Sequence, residues 1–350
     1  MRLGFMAGYS PATVNVPMAG ILEAERLGFD SVWTAEAYGS DAVSVAAWIL
    51  AQTTRIKVGT AIMQMPARTP TCAAMTAMTL RALSGGRFLL GIGPSGPRVI
   101  EGWYGVPYGK PMTRTREYVD IIRQIAARRA PLVHEGYHYQ IPYHGPGASG
   151  LGKPMKGILH GDPDLKIYTA AVTPAGLRTA AEVADGVFPI WMDPDRYELI
   201  GPHLDEGFRK GAAGGLPARG LATFDLAPFV NVSLGDDLEE CRKPVRAHMA
   251  LYIGGMGPRE KNFYAEYAGR MGYESEARHV QDLYLAGRKV EAAAAVPEAL
   301  IDAVALVGPA GRIRERLAAW KAAERAGQIT SMVLLGASPE AMQLLASELL

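Results

Sequence analysis

The chain has 350 residues, of which 49% are hydrophobic and 20% charged, and its formal net charge is +1. That balance supplies a large core and excludes disorder. It also excludes nucleic acid, because Arg and Lys are spread along the chain and no basic stripe interleaves with aromatics. The two cysteines, Cys72 and Cys241, stand in no ligand spacing and point to a reducing compartment. No apolar run suits a signal peptide or a membrane span, so a cytoplasmic protein with no membrane partner is expected.

In chain order, Arg2 to Met6 reads as a strand and Val16 to Leu27 as a helix closed by Gly28. Ser31 to Glu36 is a second strand, and Ser40 or Asp41 caps a helix through Gln52. Ile56 to Gln64 is the third strand. Thr71 to Leu83 is a helix ended by Ser84-Gly85-Gly86, and Arg87 to Gly93 is the fourth strand, a continuous apolar run suited to burial on both faces. A helix over Thr113 to Arg129 follows. The pattern then breaks into an insertion over about 130–164. It resumes with strand Leu165 to Val172, helix Pro174 to Ala184, strand Gly186 to Met192 and helix Asp195 to Lys210. Phe224 to Leu234 is a seventh strand, Asp236 to Leu251 a helix, and about 254–305 a second insertion. Helix Ala310 to Ala326, strand Ile329 to Leu335 and helix Pro339 to Leu350 complete the chain. Eight strands, each followed by helix, predict one α/β domain over 1–350, a (β/α)8 TIM barrel with two insertions.

Barrel enzymes draw their sites from the carboxyl ends of several strands. The fourth strand runs into Gly93-Pro94-Ser95-Gly96, and Gly91 and Gly93 would let its backbone approach another molecule. Gly91, Gly93 and Gly96 also spell G-x-G-x-x-G. Pro94, Pro97, Gly102 and Gly105 are expected to prevent the helix that a dinucleotide site needs at the last glycine. Glu36, after strand two, is the carboxylate expected to point into the barrel mouth as a proton donor, the alternative being a structural bond to a loop amide. Pro174 opens a helix whose free amides favour an anion. His134-Glu135-Gly136-Tyr137-His138 matches the zinc spacing H-E-x-x-H, but Pro131, Gly136 and Pro142 flank or interrupt it and a surface hairpin is expected, with no metal.

FDSVWTAEAYGSDA (29–42), GTAIMQMPARTP (59–70), GGRFLLGIGPSGPRVIEGWYGVPYGKP (85–111) and GGMGPREKNFY (254–264) resemble the bacterial luciferase-like superfamily, in its coenzyme F420-dependent branch. Within that branch the likeness is to the methylenetetrahydromethanopterin reductase-like group. The resemblance implies a TIM barrel with a deazaflavin across the strand ends, and hydride transfer between its C5 and a small organic substrate such as a carbonyl, imine or activated alkene. It implies a non-prolyl cis peptide at Ala61-Ile62 as a ledge under the ring. It places Glu36, Gly93, Pro94, Ser95, Gly96, Ala171, Val172 and Thr173 beside the cofactor, and it implies a homodimer. The histidine and glutamate that sugar-phosphate and alcohol dehydrogenases of the superfamily use are replaced here by Ala37 and Gly96. The glutamate that the methanopterin reductases carry near the end of strand one is replaced by Met6. Glu36 and Tyr38 are then the expected proton donors, and Tyr9, Trp103 and Trp191 the expected walls of the substrate pocket. An FMN-dependent monooxygenase and a non-catalytic F420-binding protein are the alternatives.

Overall fold

The computed structural model describes residues 1–10 and 12–350. Its first half alternates strand and helix: β1 (Arg2–Gly8), α1 (Met18–Arg26), β2 (Ser31–Thr34), α2 (Ala42–Gln52), β3 (Lys57–Thr60), β4 (Met63–Gln64), α3 (Pro70–Leu83), β5 (Phe88–Gly93), α4 (Pro97–Gly102) and α5 (Pro111–Ala127). A hairpin of β6 (His134–Glu135) and β7 (Gln140–Ile141) intervenes. Then come β8 (Ile167–Ala170), α6 (Pro174–Val183), β9 (Gly186–Phe188), α7 (Gly201–Ala213), β10 (Asp225–Leu226) and β11 (Phe229–Leu234). The remainder is α8 (Leu238–Gly255), α9 (Phe263–Arg270), α10 (Glu274–Leu285), α11 (Lys289–Ala294), α12 (Glu298–Val304), β12 (Leu306–Gly308), α13 (Ala310–Arg325), β13 (Ser331–Leu335) and α14 (Pro339–Leu349).

The local chemistry accounts for most of these boundaries. Asp41, Thr69, Thr173, Asp237, Asn262 and Ser338 each accept N–H groups at the start of the helix they precede, a contact worth roughly 1 kcal/mol each. Proline occupies the first turn of α3, α4, α5, α6 and α14, where no intrahelical N–H is lost.

The strands pair in parallel in the order β10-β9-β8-β5-β3-β2-β1-β13-β11-β12. Backbone bonds close this path on itself. The Ala227 N–H donates to Val187 of β9 at 3.0 Å, and the Val333 N–H of β13 donates to Pro228 at 2.9 Å. The stretch 225–234 therefore lies between strands six and eight, as a (β/α)8 barrel requires. Inside it Trp33, Leu89, Tyr168, Phe188, Ala227 and Val333 pack together. Trp33 fits because Gly59 has no side chain: a Cβ there would sit 2.3 Å from the indole.

Several expectations are corrected in detail. Strand three is not continuous from Ile56 to Gln64; it breaks at a cis Ala61-Ile62 peptide between β3 and β4. Strand seven is interrupted at Pro228, which has no N–H to give the ladder. The helix expected from Asp195 starts only at Gly201, after a single 3-10 turn at Tyr197–Leu199. β12 was not anticipated; it adds to β11 on the side away from β13. A six-residue helix does open at Gly96, against expectation, because Pro97 stands at its first position, where proline is compatible with a helix.

The first insertion carries the expected hairpin, pinned by Glu117 of α5. Its carboxylate accepts the N–H groups of Tyr137, His138 and Tyr139 at 2.9, 2.9 and 3.1 Å. Among the described residues no group of three or more His, Cys, Asp or Glu could hold a metal ion, and no helix is long and apolar enough to cross a membrane. The second insertion packs α9 to α12 on α8 around a separate core that includes Val245, Met249, Ile253, Val280 and Leu300.

Candidate active site at the barrel rim

Strand three and strand four meet so closely that two glycines are required. The Thr60 hydroxyl donates to the Gly91 carbonyl at 2.7 Å and accepts the Gly91 N–H at 3.1 Å. A Cβ on Gly91 would lie 1.8 Å from the Thr60 carbonyl oxygen, and one on Gly93 would lie 2.9 Å from the Ile62 side chain. What approaches Gly91 and Gly93 is therefore the chain itself, with Ile62 resting on Gly93. Gly96 differs: a Cβ there would meet nothing within 4 Å. Ser95, beside it, adopts a left-handed backbone at φ 57, a conformation uncommon outside glycine and frequent at functional sites. Open space thus lies beside Gly96 at the rim.

Glu36 is 8% exposed, and its carboxylate is fully engaged. Oε2 accepts the Ala42 N–H at 3.0 Å, and Oε1 accepts the Gln64 N–H at 2.8 Å and the Arg68 guanidinium at 2.6 Å. The Gln64 side-chain amide returns to the Glu36 carbonyl at 3.1 Å. One buried side chain thereby ties the loops after strands two and three together. Three donors aimed at its two oxygens suit a carboxylate that accepts bonds, the structural alternative raised from the sequence.

Next to this junction lies a hollow of about 320 Å³ whose lining includes Glu36, Ala37, Tyr38, Arg68, Trp103 and Tyr104. Tyr38 and Trp103 are 61% and 65% exposed. Burial, with the negative charge of Glu36 adding to it, raises the Tyr104 hydroxyl above the ordinary tyrosine value; the Arg68 charge opposes this. A second hollow, of 400 Å³, lies around Met1, Asp30 and Leu350 at the opposite end of the strands, away from the rim from which barrel enzymes build their sites.

Strand five, β8, is followed by Ala171, Val172 and Thr173. The Val172 carbonyl accepts from Arg270 at 2.6 Å, and the Thr173 hydroxyl caps α6 by accepting the Gly176 N–H at 3.0 Å. Trp191, after strand six, is enclosed at 1% exposure with φ 52. It packs against His248, Tyr252 and Tyr264, with ring centroids 6.5, 6.1 and 5.7 Å away. Its indole N–H and the His248 Nδ1 are buried without partners. Tyr9 is partly exposed, and its neighbour Ser10 is bonded to Ser40 of the strand-two loop at 2.9 Å.

The rim of the barrel thus gathers Tyr9, Glu36, Tyr38, Ala61, Ile62, Gly93 to Gly96 and Ala171 to Thr173, all at the carboxyl ends of parallel strands. Trp103 borders the hollow, whereas Trp191 lies inside the second core. Sequence reasoning overlooked Arg68 and Tyr104. Tyr104 had a signal in its place beside Trp103 in the strand-four loop, whereas Arg68 had none before its pairing with Glu36 was known.

Fold and rim together define a luciferase-like (β/α)8 enzyme. A family model described as luciferase-like monooxygenase matches residues 8–326, and the chain belongs to that family. It is 42% identical, over 99% of its own length and 98% of the relative's, to a Mycobacterium tuberculosis protein named "putative coenzyme F420-dependent oxidoreductase". It is 30% identical to the 5,10-methylenetetrahydromethanopterin reductase of Archaeoglobus fulgidus, over 67% of this chain and 65% of that one. The solved coenzyme F420-dependent tetrahydromethanopterin reductase from Methanopyrus kandleri shares the fold with a TM-score of 0.77 at 21% identity, covering 99% of this chain and 97% of that one.

Proposed function

We propose that the protein is a coenzyme F420-dependent oxidoreductase that moves a hydride between the deazaflavin and a small organic substrate. The observation that carries this reading is the 42% identity, spanning nearly the full length of both chains, to a relative named for that cofactor. Two features of the rim fit such a ring. There is open space beside Gly96, and Ile62 is held on Gly93 as an apolar surface after strand three.

When bound, the cofactor supplies a carbon that gives or takes a hydride. The chain supplies orientation and exclusion. Ala61 and Ile62 would form the surface under the ring, Gly93, Pro94, Ser95 and Gly96 would border it, and Ala171, Val172 and Thr173 with the start of α6 would hold the phosphate-bearing tail. Glu36 fixes the rim's shape by joining the strand-two and strand-three loops. Tyr9, Tyr38 and Trp103 flank the substrate's approach.

We also propose a homodimer. Trp48 on α2 and Met75 on α3 are 59% and 63% exposed on the helices that follow strands two and three, which supports an interface there. A Trp48→Glu variant that stays folded and elutes as a monomer would support it; a wild type that is itself monomeric would remove it.

The test of the cofactor is fluorescence titration of the purified protein with F420 and, in parallel, with FMN. Saturable binding of F420 without an FMN effect supports the reading. Binding of FMN alone moves the chain to the flavin monooxygenases, and binding of neither removes the proposed rim site.

A further inference from the structure

Two of the rim segments assigned to the cofactor, after strands four and five, are gripped from the second insertion and the helix before it. Arg98, two residues past Gly96, donates to the carbonyl of Gly255 at the end of α8 at 3.2 Å. Arg270, the last residue of α9, donates to the carbonyl of Val172 at 2.6 Å. Tyr267, three residues earlier on that helix, donates its hydroxyl to the Trp191 carbonyl at 3.3 Å, after strand six, where the backbone is left-handed at φ 52. Such a backbone is strained for a residue as bulky as tryptophan and persists only where neighbours hold it. α9 is itself anchored. The buried Asn262 side chain caps it and donates to the carbonyls of Tyr252 and Ile253 at 3.0 and 2.8 Å.

We propose that Arg270 is a positioning residue for the cofactor: by holding the Val172 carbonyl it sets the end of strand five and the start of α6, where the phosphate-bearing tail would lie. The inference rests on the deazaflavin reading above. Three observations support it. First, the residue after Val172 is Thr173, the cap of α6, whose hydroxyl accepts the Gly176 N–H at 3.0 Å and whose carbonyl accepts the Leu177 N–H at 2.9 Å. A shift at Val172 therefore passes directly into the first turn of the helix. Second, no ion pair explains Arg270. Among the described residues the Val172 carbonyl is its only hydrogen-bond acceptor, although a guanidinium carries five N–H donors. Its guanidinium lies over the Tyr267 ring, 5.2 Å from the centroid, which fixes its direction. Burial lowers its pKa from the ordinary arginine value, so the charge is kept in this place at a cost. Third, strand six is held by a separate group, the Tyr267 hydroxyl, so the grip on strand five can be removed by itself.

The experiment measures the dissociation constants of F420 and of the deazariboflavin that lacks the phosphate-bearing tail, by fluorescence titration of wild type, Arg270→Met and Tyr267→Phe. Amide exchange is followed in each protein without cofactor. Methionine keeps an apolar stem over Tyr267 and removes every donor. It is expected to weaken F420 binding by about tenfold, to leave affinity for the tail-less compound unchanged, and to speed exchange at Gly176 and Leu177 while the barrel strands stay protected. Tyr267→Phe keeps the ring beneath Arg270 and is expected to keep the wild-type affinity for F420. With F420 bound by the wild type, the inference alone is overturned by any of four results. These are equal F420 affinity in Arg270→Met, an equal loss of both ligands in that variant, unaltered exchange at Gly176 and Leu177, or a loss of F420 affinity in Tyr267→Phe as large as that in Arg270→Met. Failure of the wild type to bind F420 overturns the deazaflavin reading and the inference with it.

Discussion

Arg68 and Glu36 meet at 2.6 Å, and the oxygen that Arg68 holds also accepts the Gln64 N–H at 2.8 Å. A side chain from beyond strand three thereby fixes the end of strand two, and the floor of the rim depends on a single buried carboxylate. Removing its charge leaves Arg68 with only Asp41, at 3.7 Å. It also turns an amide N–H group toward a backbone donor. Glu36→Gln is therefore expected to lower stability by about 2 kcal/mol, read from the midpoint of urea unfolding. An unchanged midpoint, with activity abolished, would restore Glu36 as an acid.

Gly91 is set by contact with Thr60, not by any ligand. A methyl group there meets a carbonyl oxygen at 1.8 Å, and neither strand can move without breaking barrel pairing. Gly91→Ala is expected to cost about 3 kcal/mol, whereas Gly96→Ala, with open space around it, should change thermal stability little. Equal melting temperatures for both variants would contradict the packing described for strands three and four.

His248 lies against Tyr252 with ring centroids 4.5 Å apart, and burial alone pushes its imidazole down to about 4. The unfolded chain binds that proton at the ordinary value of 6.5, so between pH 6.5 and pH 4 the unfolded state holds more protons than the folded one and stability falls with pH. The loss attributable to this group is at most about 3 kcal/mol. His248→Phe should flatten the stability profile across that window, as followed by denaturant unfolding at successive pH values. A variant with the wild-type slope would place the acid sensitivity elsewhere.

Glu117 holds the hairpin through three N–H bonds. Glu117→Ala is expected to cost about 2 kcal/mol locally and to raise amide exchange at Tyr137 to Tyr139 while the barrel strands stay protected. Exchange unchanged at those amides would mean that the hairpin stands without the carboxylate.

Much of this architecture was legible in the residues because barrel strands buried on both faces read as short apolar runs, and because Asp41 and Pro174 mark helix starts through local chemistry. The rim was legible only as a set of strand ends. Ala61-Ile62, Gly93 to Gly96 and Ala171 to Thr173 could be placed there by pattern and family likeness, but their roles depend on neighbours distant in sequence. Glu36 illustrates the limit. From the sequence it is a carboxylate at a strand end, and only the positions of Ala42, Gln64 and Arg68 make it a junction. Gly91 and Trp191 show the same dependence. The space each fills is defined by Thr60 in one case and by His248, Tyr252 and Tyr264 in the other, and no local signal encodes those contacts. The helix opening at Gly96 was hidden for a different reason: Pro97 reads as a helix breaker until its position at the first turn is known.

The central claim is that a deazaflavin lies on the rim beside the open space at Gly96. It is tested most directly by the F420 dissociation constant of wild type and of Gly96→Leu, measured by fluorescence titration alongside thermal unfolding. A Cβ at Gly96 would meet nothing within 4 Å in the free protein. The account therefore predicts an unchanged melting temperature and an affinity weakened by at least about tenfold, or roughly 1.4 kcal/mol. Equal affinity in the two proteins, at equal stability, would contradict it and place the cofactor elsewhere.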